Sequence, residues 1–192
     1  MPAEEIGFLK DIVGGIAPDF SGAGRRYYGK LSGGSLAYFH YFFPPAEKNY
    51  FGPYQNMTKR LGQYFEILEY SNGLALYDKG IVLFGIGDLL SRSLNPAEMV
   101  AFSFERENIS FLHGNTQAPN PVVGAIDLSI RYNMALDEDG QCLLQGEDGF
   151  LRPFDDLVSA LKNIVPYFEE CLPFGTPIDD DHIAKIERLL RQ

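Results

Sequence analysis

The sequence predicts an α+β protein, an antiparallel β-sheet meander flanked by helices, on three observations. An apolar stripe at helical spacing runs from Tyr54 to Leu68 and stops at Asn72-Gly73. Short apolar runs separated by turn residues follow it over residues 74–144. Two more helical patterns close the chain, before and after Pro177. Strands joined by short connections pair antiparallel, since a parallel neighbour needs a long crossover.

In chain order, Ile6, Leu9 and Val13 give residues 4–13 the pattern of a short amphipathic helix, ended by Gly14-Gly15. A Gly- and Ser-rich stretch, Ser21 to Ser35, is broken by Arg25-Arg26 and Tyr27-Tyr28. Leu36 to Phe43 is aromatic on both faces, as a buried strand is, and Pro44-Pro45 stops it. Gly52-Pro53 opens the next helix, because proline at the first helical position loses no needed N–H. Its stripe is Tyr54, Met57, Leu61, Tyr64, Phe65 and Leu68. Asn72-Gly73 closes it, both residues tolerating the left-handed conformation. Leu74 to Tyr77 and Ile81 to Ile86 are two strands joined by Asp78-Lys79-Gly80, a loop that suits a type I turn with a glycine bulge at Gly80.

Asp88 can cap a helical turn before Pro96, and Val100–Phe104 with Ile109–Leu112 predicts a second hairpin. Gln117 to Pro121 is a loop. Val122–Leu128, Tyr132–Leu136 and Gln141–Leu144 are strands, the last two joined by Asp137-Glu138-Asp139-Gly140. Leu157, Leu161, Ile164, Val165 and Phe168 mark a helix, with Asp155-Asp156 in its first turn and Pro166 placed to kink or end it. A final helix begins at Asp179, with Ile178 and Ile183 spaced as a hydrophobic staple and Arg188 and Arg191 at its end.

At 192 residues the chain is expected to be a single domain with a sizeable core. Hydrophobic content of 45% and charged content of 22% belong to an ordinary soluble protein. Aromatic content is less ordinary, with 15 Phe, 11 Tyr and no Trp, enough to leave tyrosines for an interface. Two cysteines far apart, Cys142 and Cys171, indicate neither a disulfide framework nor a zinc site. The acidic start lacks the positive charge of a signal peptide, and no apolar run is long enough to span a bilayer. A cytoplasmic protein with no membrane segment is expected. The net charge of −10 is uneven: residues 1–100 hold 10 acids and 9 bases, residues 101–192 hold 16 and 7. The second half would repel nucleic acid and favour basic partners, although a solvated acidic surface that keeps the protein soluble is the plainer reading of such charge.

Several stretches imitate sites. Gly24 to Lys30 has P-loop spacing, but Leu31 stands where the magnesium-binding Ser or Thr belongs, and a plain flexible loop is expected. Gly85-Ile86-Gly87, with Glu105 twenty residues past Gly85, imitates a dinucleotide turn, but Leu90 replaces the third glycine. Asp137-Glu138-Asp139-Gly140 fails as a calcium loop because Ala135 and Gly146 fall at ligand positions. Asp179-Asp180-Asp181-His182 coincides with a helix start that favours acids, and His40 and His113 have no triad partners at suggestive spacing. Arg25-Arg26 beside Tyr27-Tyr28 is too little for a nucleic-acid surface in so acidic a chain. No catalytic residue and no cofactor or metal is expected.

The order of helix, Ser71-Asn72-Gly73, short strand, turn at Gly80 and apolar strand ending Leu-Phe-Gly at Gly85 resembles the SUKH superfamily. That family includes bacterial toxin-immunity proteins and the fungal Smi–Knr-type cell-wall regulators. The acidic glycine turn Asp137 to Gly140 and Phe154 to Val165, which the resemblance implies is a helix introduced by Phe154, extend it over about residues 50–170. The aromatic N-terminal segment and the helix after Pro177 are additions to it. The resemblance implies a SUKH-like fold and a non-enzymatic protein-binding module, most simply an immunity protein that blocks a toxin domain. An intracellular regulatory scaffold of the same family is the alternative, and a nucleotide-binding protein using the Gly85–Gly87 turn is the third reading. For a basic toxin partner, the expected contacts are Asp137, Glu138, Asp139, Glu147, Asp148, Asp155 and Asp156.

Overall fold

The computed structural model describes residues 7–12, 24–30, 36–78, 80–87, 103–114, 120–171 and 179–192, with backbone alone for 26–30 and 36–39. The fold is α+β. Among the described residues, eight strands form one antiparallel sheet whose spatial order is their sequence order. They are β1 (Arg25–Lys30), β2 (Leu36–Phe42), β3 (Leu74–Leu76), β4 (Ile81–Leu83), β5 (Val122–Asp127), β6 (Arg131–Leu136), β7 (Cys142–Gly146) and β8 (Leu151–Phe154). The helices are α1 (Gly7–Ile12), α2 (Thr58–Tyr70), α3 (Phe104–Glu107), α4 (Ile109–Leu112), α5 (Leu157–Cys171) and α6 (Asp180–Leu190), with a 3-10 helix at Lys48–Met57.

The meander holds even where the connections are long. β2 and β3 pair directly, Phe42 opposite Leu74, although the 3-10 helix and α2 intervene in sequence. β4 and β5 pair likewise across α3 and α4. Alternation then decides what each face carries. Tyr132, Met134 and Leu136 stand on one face of β6, beside Cys142 and Leu144 on β7, and all five are buried. Arg152 and Phe154 continue that face on β8. It meets α5, whose buried stripe includes Leu157, Leu161, Ile164, Val165 and Phe168. Small residues, Ala75, Val82, Ala125 and Ala135, line the opposite face.

Several elements depart from the sequence reading. Gly24 to Lys30 is no loop: its residues from Arg25 onward form β1, paired along β2. Gly52-Pro53 does not open the α-helix, because Pro53 lies within the 3-10 helix and α-geometry begins at Thr58. The described residues of the predicted second hairpin are helical instead. Phe104–Glu107 and Ile109–Leu112 are helical turns, Ser103 accepting the Arg106 N–H as an N-cap. A four-residue apolar run does not separate strand from helix, and here the cap decides.

Pro166 neither ends α5 nor disrupts it, and the helix continues to Cys171. Pro166 and Lys162, four residues before it, are both exposed, so the missing helical bond lies on the exposed side of α5. Phe154 ends β8 instead of introducing a helix. β8 is a sheet edge, and the exposed Pro153 leaves that edge one N–H fewer to pair with another chain. The glycine bulge is replaced by a turn with left-handed Tyr77 and Asp78, each at φ 53°, closed by the Gly80 N–H donating to Tyr77 O at 2.9 Å. Lys79, Asp88, Val100, Pro177 and Ile178 lie outside the described residues.

Candidate functional site

Three elements meet at Ser71-Asn72-Gly73, each residue fully or almost fully buried. α2 ends at Tyr70, and the Ser71 N–H donates back to Ile67 O at 2.8 Å. The Ser71 hydroxyl lies 3.0 Å from Phe43 O and 2.6 Å from Gly73 O, its one proton shared between them. The Asn72 amide imitates a strand partner: Nδ2 donates to Ile86 O at 2.9 Å, and Ile86 N–H donates to Oδ1 at 2.8 Å. Gly73 takes the left-handed conformation, φ 93°. A Cβ on Gly85 would stand 2.4 Å from Asn72 O, so the two motif glycines let the end of β4 pass against the end of α2. Ser71 is held as a structural group, with both acceptors on the backbone.

The Gly85-Ile86-Gly87 turn is filled by the protein itself. The Ile86 N–H goes to Asn72, and the Gly87 N–H donates to Glu105 Oε1 at 2.8 Å. The same oxygen accepts from Tyr54 Oη at 2.8 Å, and Ser103 Oγ donates to Oε2 at 3.2 Å. Burial, the hydrogen bond and the Glu105 charge hold the Tyr54 phenol well above its ordinary pKa. A Cβ on Gly87 would meet the Tyr50 ring at 2.6 Å. The Ile86 and Gly87 amides that would face a phosphate, and the acid that would bind a ribose, already have partners within the chain.

The seven acids do not form one face. Asp137, Glu138 and Asp139 sit in the β6–β7 turn, and Glu147 and Asp148 in the β7–β8 turn at the other end of β7. Five strand residues at roughly 3.3 Å each separate the two turns. Asp155 and Asp156 follow β8 and return to the first end, since Cys142 pairs with Phe154.

Most of these acids act within the fold. Asp137 accepts the N–H groups of Asp139 and Gln141, each at 2.9 Å, which shapes its turn. Asp139 pairs with Lys59 at 2.7 Å, and this bond and charge lower its pKa. Glu138 lies 3.9 Å from Arg60. Asp148 pairs with Arg191 and accepts the Phe150 N–H, and both lower its pKa. Asp156 caps α5 by accepting the Ser159 N–H at 2.6 Å; burial opposes its charge, and hydrogen bonds from Ser159 and Gln63 with the nearby Lys162 outweigh it. Glu147 and Asp155 form no ion pair among the described residues.

His40 is a core residue, 2% exposed. Its Nδ1 accepts the Tyr77 N–H at 3.3 Å, its ring meets the Tyr77 ring edge-on, and burial lowers its pKa to about 4. Asp179 caps α6 through the His182 N–H and also holds His182 Nδ1 at 2.6 Å, a helix start with no metal geometry. Among the described residues, no group of three His, Cys, Asp or Glu side chains converges as metal ligands do.

One polar cluster had no signal in the sequence. Tyr132, Phe150, Arg152 and Arg191 gather at the outer end of β6–β8, where Arg191 Nε donates to Tyr132 Oη at 2.9 Å. Arg152 Nη1 donates to Leu190 O at 2.9 Å and Nη2 approaches Tyr167 Oη at 3.5 Å. Only chain-distant pairing brings these residues together. No family model, curated protein or solved structure matches this chain. Among the described residues, no helix is long and apolar enough to cross a membrane.

Proposed function

We propose that the chain is a non-enzymatic, cytoplasmic protein-binding module of SUKH type, an immunity protein that binds a cognate toxin domain and blocks it sterically. The observation that carries this reading is the joint at Ser71-Asn72-Gly73. Its polar groups are satisfied by Phe43, Gly73 and Ile86, which is what a scaffold motif requires and a reactive one does not. The N–H groups of Ile86 and Gly87 are likewise engaged, which disfavours the nucleotide-binding reading.

A basic toxin domain, such as a nuclease that must itself bind phosphate, fits the net charge of −10. The pairing of the acids divides their roles. Glu147 and Asp155 contribute to the field a partner meets, whereas Asp137 and Asp156 shape a turn and a helix start. The test is to co-express the chain with a toxin domain encoded beside it, then measure growth and complex formation by size exclusion. Protection with a complex that weakens as salt rises is the expected result. Unimpeded toxicity with no complex overturns the immunity reading. Thermal stabilisation by NAD or ATP would restore the nucleotide reading, since a ligand at 100 times its dissociation constant adds about 2.7 kcal/mol.

A further inference from the structure

α6 is attached differently from the other long helices. α5 buries eight of its residues, whereas α6 buries two, Ile186 and Leu190. Leu189 packs half-buried against the core beside them, and the other contacts of α6 with the sheet and α5 are polar and largely ionic. Arg191 Nη2 meets Asp148 Oδ2 at 2.5 Å, and its guanidinium lies 5.4 Å and 5.2 Å from the ring centroids of Tyr132 and Phe150. Glu187 accepts from Ser129 Oγ at 2.5 Å and from Tyr132 Oη at 3.4 Å. Tyr132 Oη thus donates toward one charge of α6 while accepting from the other, Arg191 Nε. Lys185 reaches Glu170 on α5 at 3.3 Å.

An attachment of this kind responds to ionic strength, because partly exposed charges are screened while a buried apolar stripe is not. Beneath α6 lie Tyr132, Phe150, Arg152 and Tyr167, aromatic and arginine side chains of the types that concentrate binding energy in protein interfaces. Asp148 stands at the rim as a receptor for a cation.

We propose that α6 is a salt-sensitive strap that opens as a unit and uncovers this surface for a partner's amphipathic helix ending in a cation. The occupant's chemistry is what α6 itself presents there: apolar residues at Ile186 and Leu190 and then Arg191. The choice of partner rests on the protein-binding function proposed above. The opening of the strap does not.

Hydrogen exchange on the full chain, at low salt and at about 1 M, where the screening length falls to roughly 3 Å, reads the opening directly. The amides of residues 183–190 are expected to exchange at least about fivefold faster than those of 161–168, and faster still at high salt and in Arg191→Ala, with α5 unchanged. A labelled peptide of residues 179–192 is then expected to bind the Arg191→Ala chain more tightly than the wild type, whose own arginine competes. Adding Asp148→Asn should remove that gain. Exchange of α6 in step with α5 at both salt concentrations overturns the strap. Equal peptide binding by the wild type and Arg191→Ala overturns the receptor surface. Neither result bears on whether a toxin partner exists, which co-expression decides separately.

Discussion

Gly80 faces Phe168 so closely that a Cβ on the glycine would stand 2.7 Å from Cε1 of the ring. Phe168 also stacks on Tyr77, centroids 5.2 Å apart, so the β3–β4 turn is pressed onto α5 from two positions. The left-handed conformation sits at Tyr77 and Asp78, and what Gly80 provides is room. Gly80→Ala should therefore destabilise by overpacking, by about 1–3 kcal/mol. Denaturant unfolding with a Gly80→Ala/Phe168→Leu cycle checks it. Part of the loss should return when the ring is trimmed, whereas a purely conformational cost would not respond to Phe168.

Asn72→Ala would leave the N–H and carbonyl of Ile86 buried without their side-chain partner. Each stranded group costs about 1–3 kcal/mol, so a loss of roughly 2–6 kcal/mol is expected from chemical denaturation. Asn72→Asp keeps the acceptor but loses the donor, and should be no milder because it also buries a charge.

His40 makes stability depend on pH. Its pKa is about 4 in the fold against an ordinary 6.5, so between these values the unfolded chain binds the extra proton. The neutral ring's contribution is complete above about pH 6.5 and is lost as pH falls through this window. The full shift corresponds to about 3 kcal/mol. Denaturation midpoints at pH 7 and pH 4.5 should differ in the wild type and much less in His40→Gln. The carboxylates with lowered pKa, Asp139, Asp148, Asp156 and Asp179, give up their contributions only below that range.

Both thiols are buried, and burial raises the Cys142 pKa to about 12. At pH 8 a thiol reagent should label neither Cys142 nor Cys171 in the native protein and both in denaturant, as counted by absorbance or mass. Rapid labelling of Cys142 without denaturant would show that β7 is more accessible than its 0% exposure indicates.

α2 and α5 were legible in the sequence because an apolar stripe of several turns has one reading. β1 and β8 were not. Arg-Arg-Tyr-Tyr-Gly-Lys has no apolar alternation, and Leu-Arg-Pro-Phe contains the residue least expected in a strand. Both are edge strands, where half of the backbone pairing and much of the burial that shapes a strand sequence are missing. The segment from Phe104 to Leu112 was decided by Ser103 as a cap and by Asn108, whose side chain bridges to both the N–H and the carbonyl of Val122. No periodicity reports such contacts. Ser71, Asn72, Gly73, Gly80 and Gly85 were visible as a motif, though the contact with Phe168 that explains Gly80 lies on another helix. The Arg191–Asp148 clamp spans 43 positions and leaves no local trace.

Because sheet order repeats chain order, folding can advance by adding one hairpin at a time. Among the described residues two closures interrupt that progress, between β2 and β3 and between β4 and β5, each spanning helical segments. Loop-closure entropy grows slowly with length but must be met before any pairing rewards it, so these two joints are the natural barriers on the route. The first is sealed by Phe43, Ser71 and Gly73, the second by Phe84 and Val123. The motif that stitches the native state together also stands where the slow step of its assembly should fall.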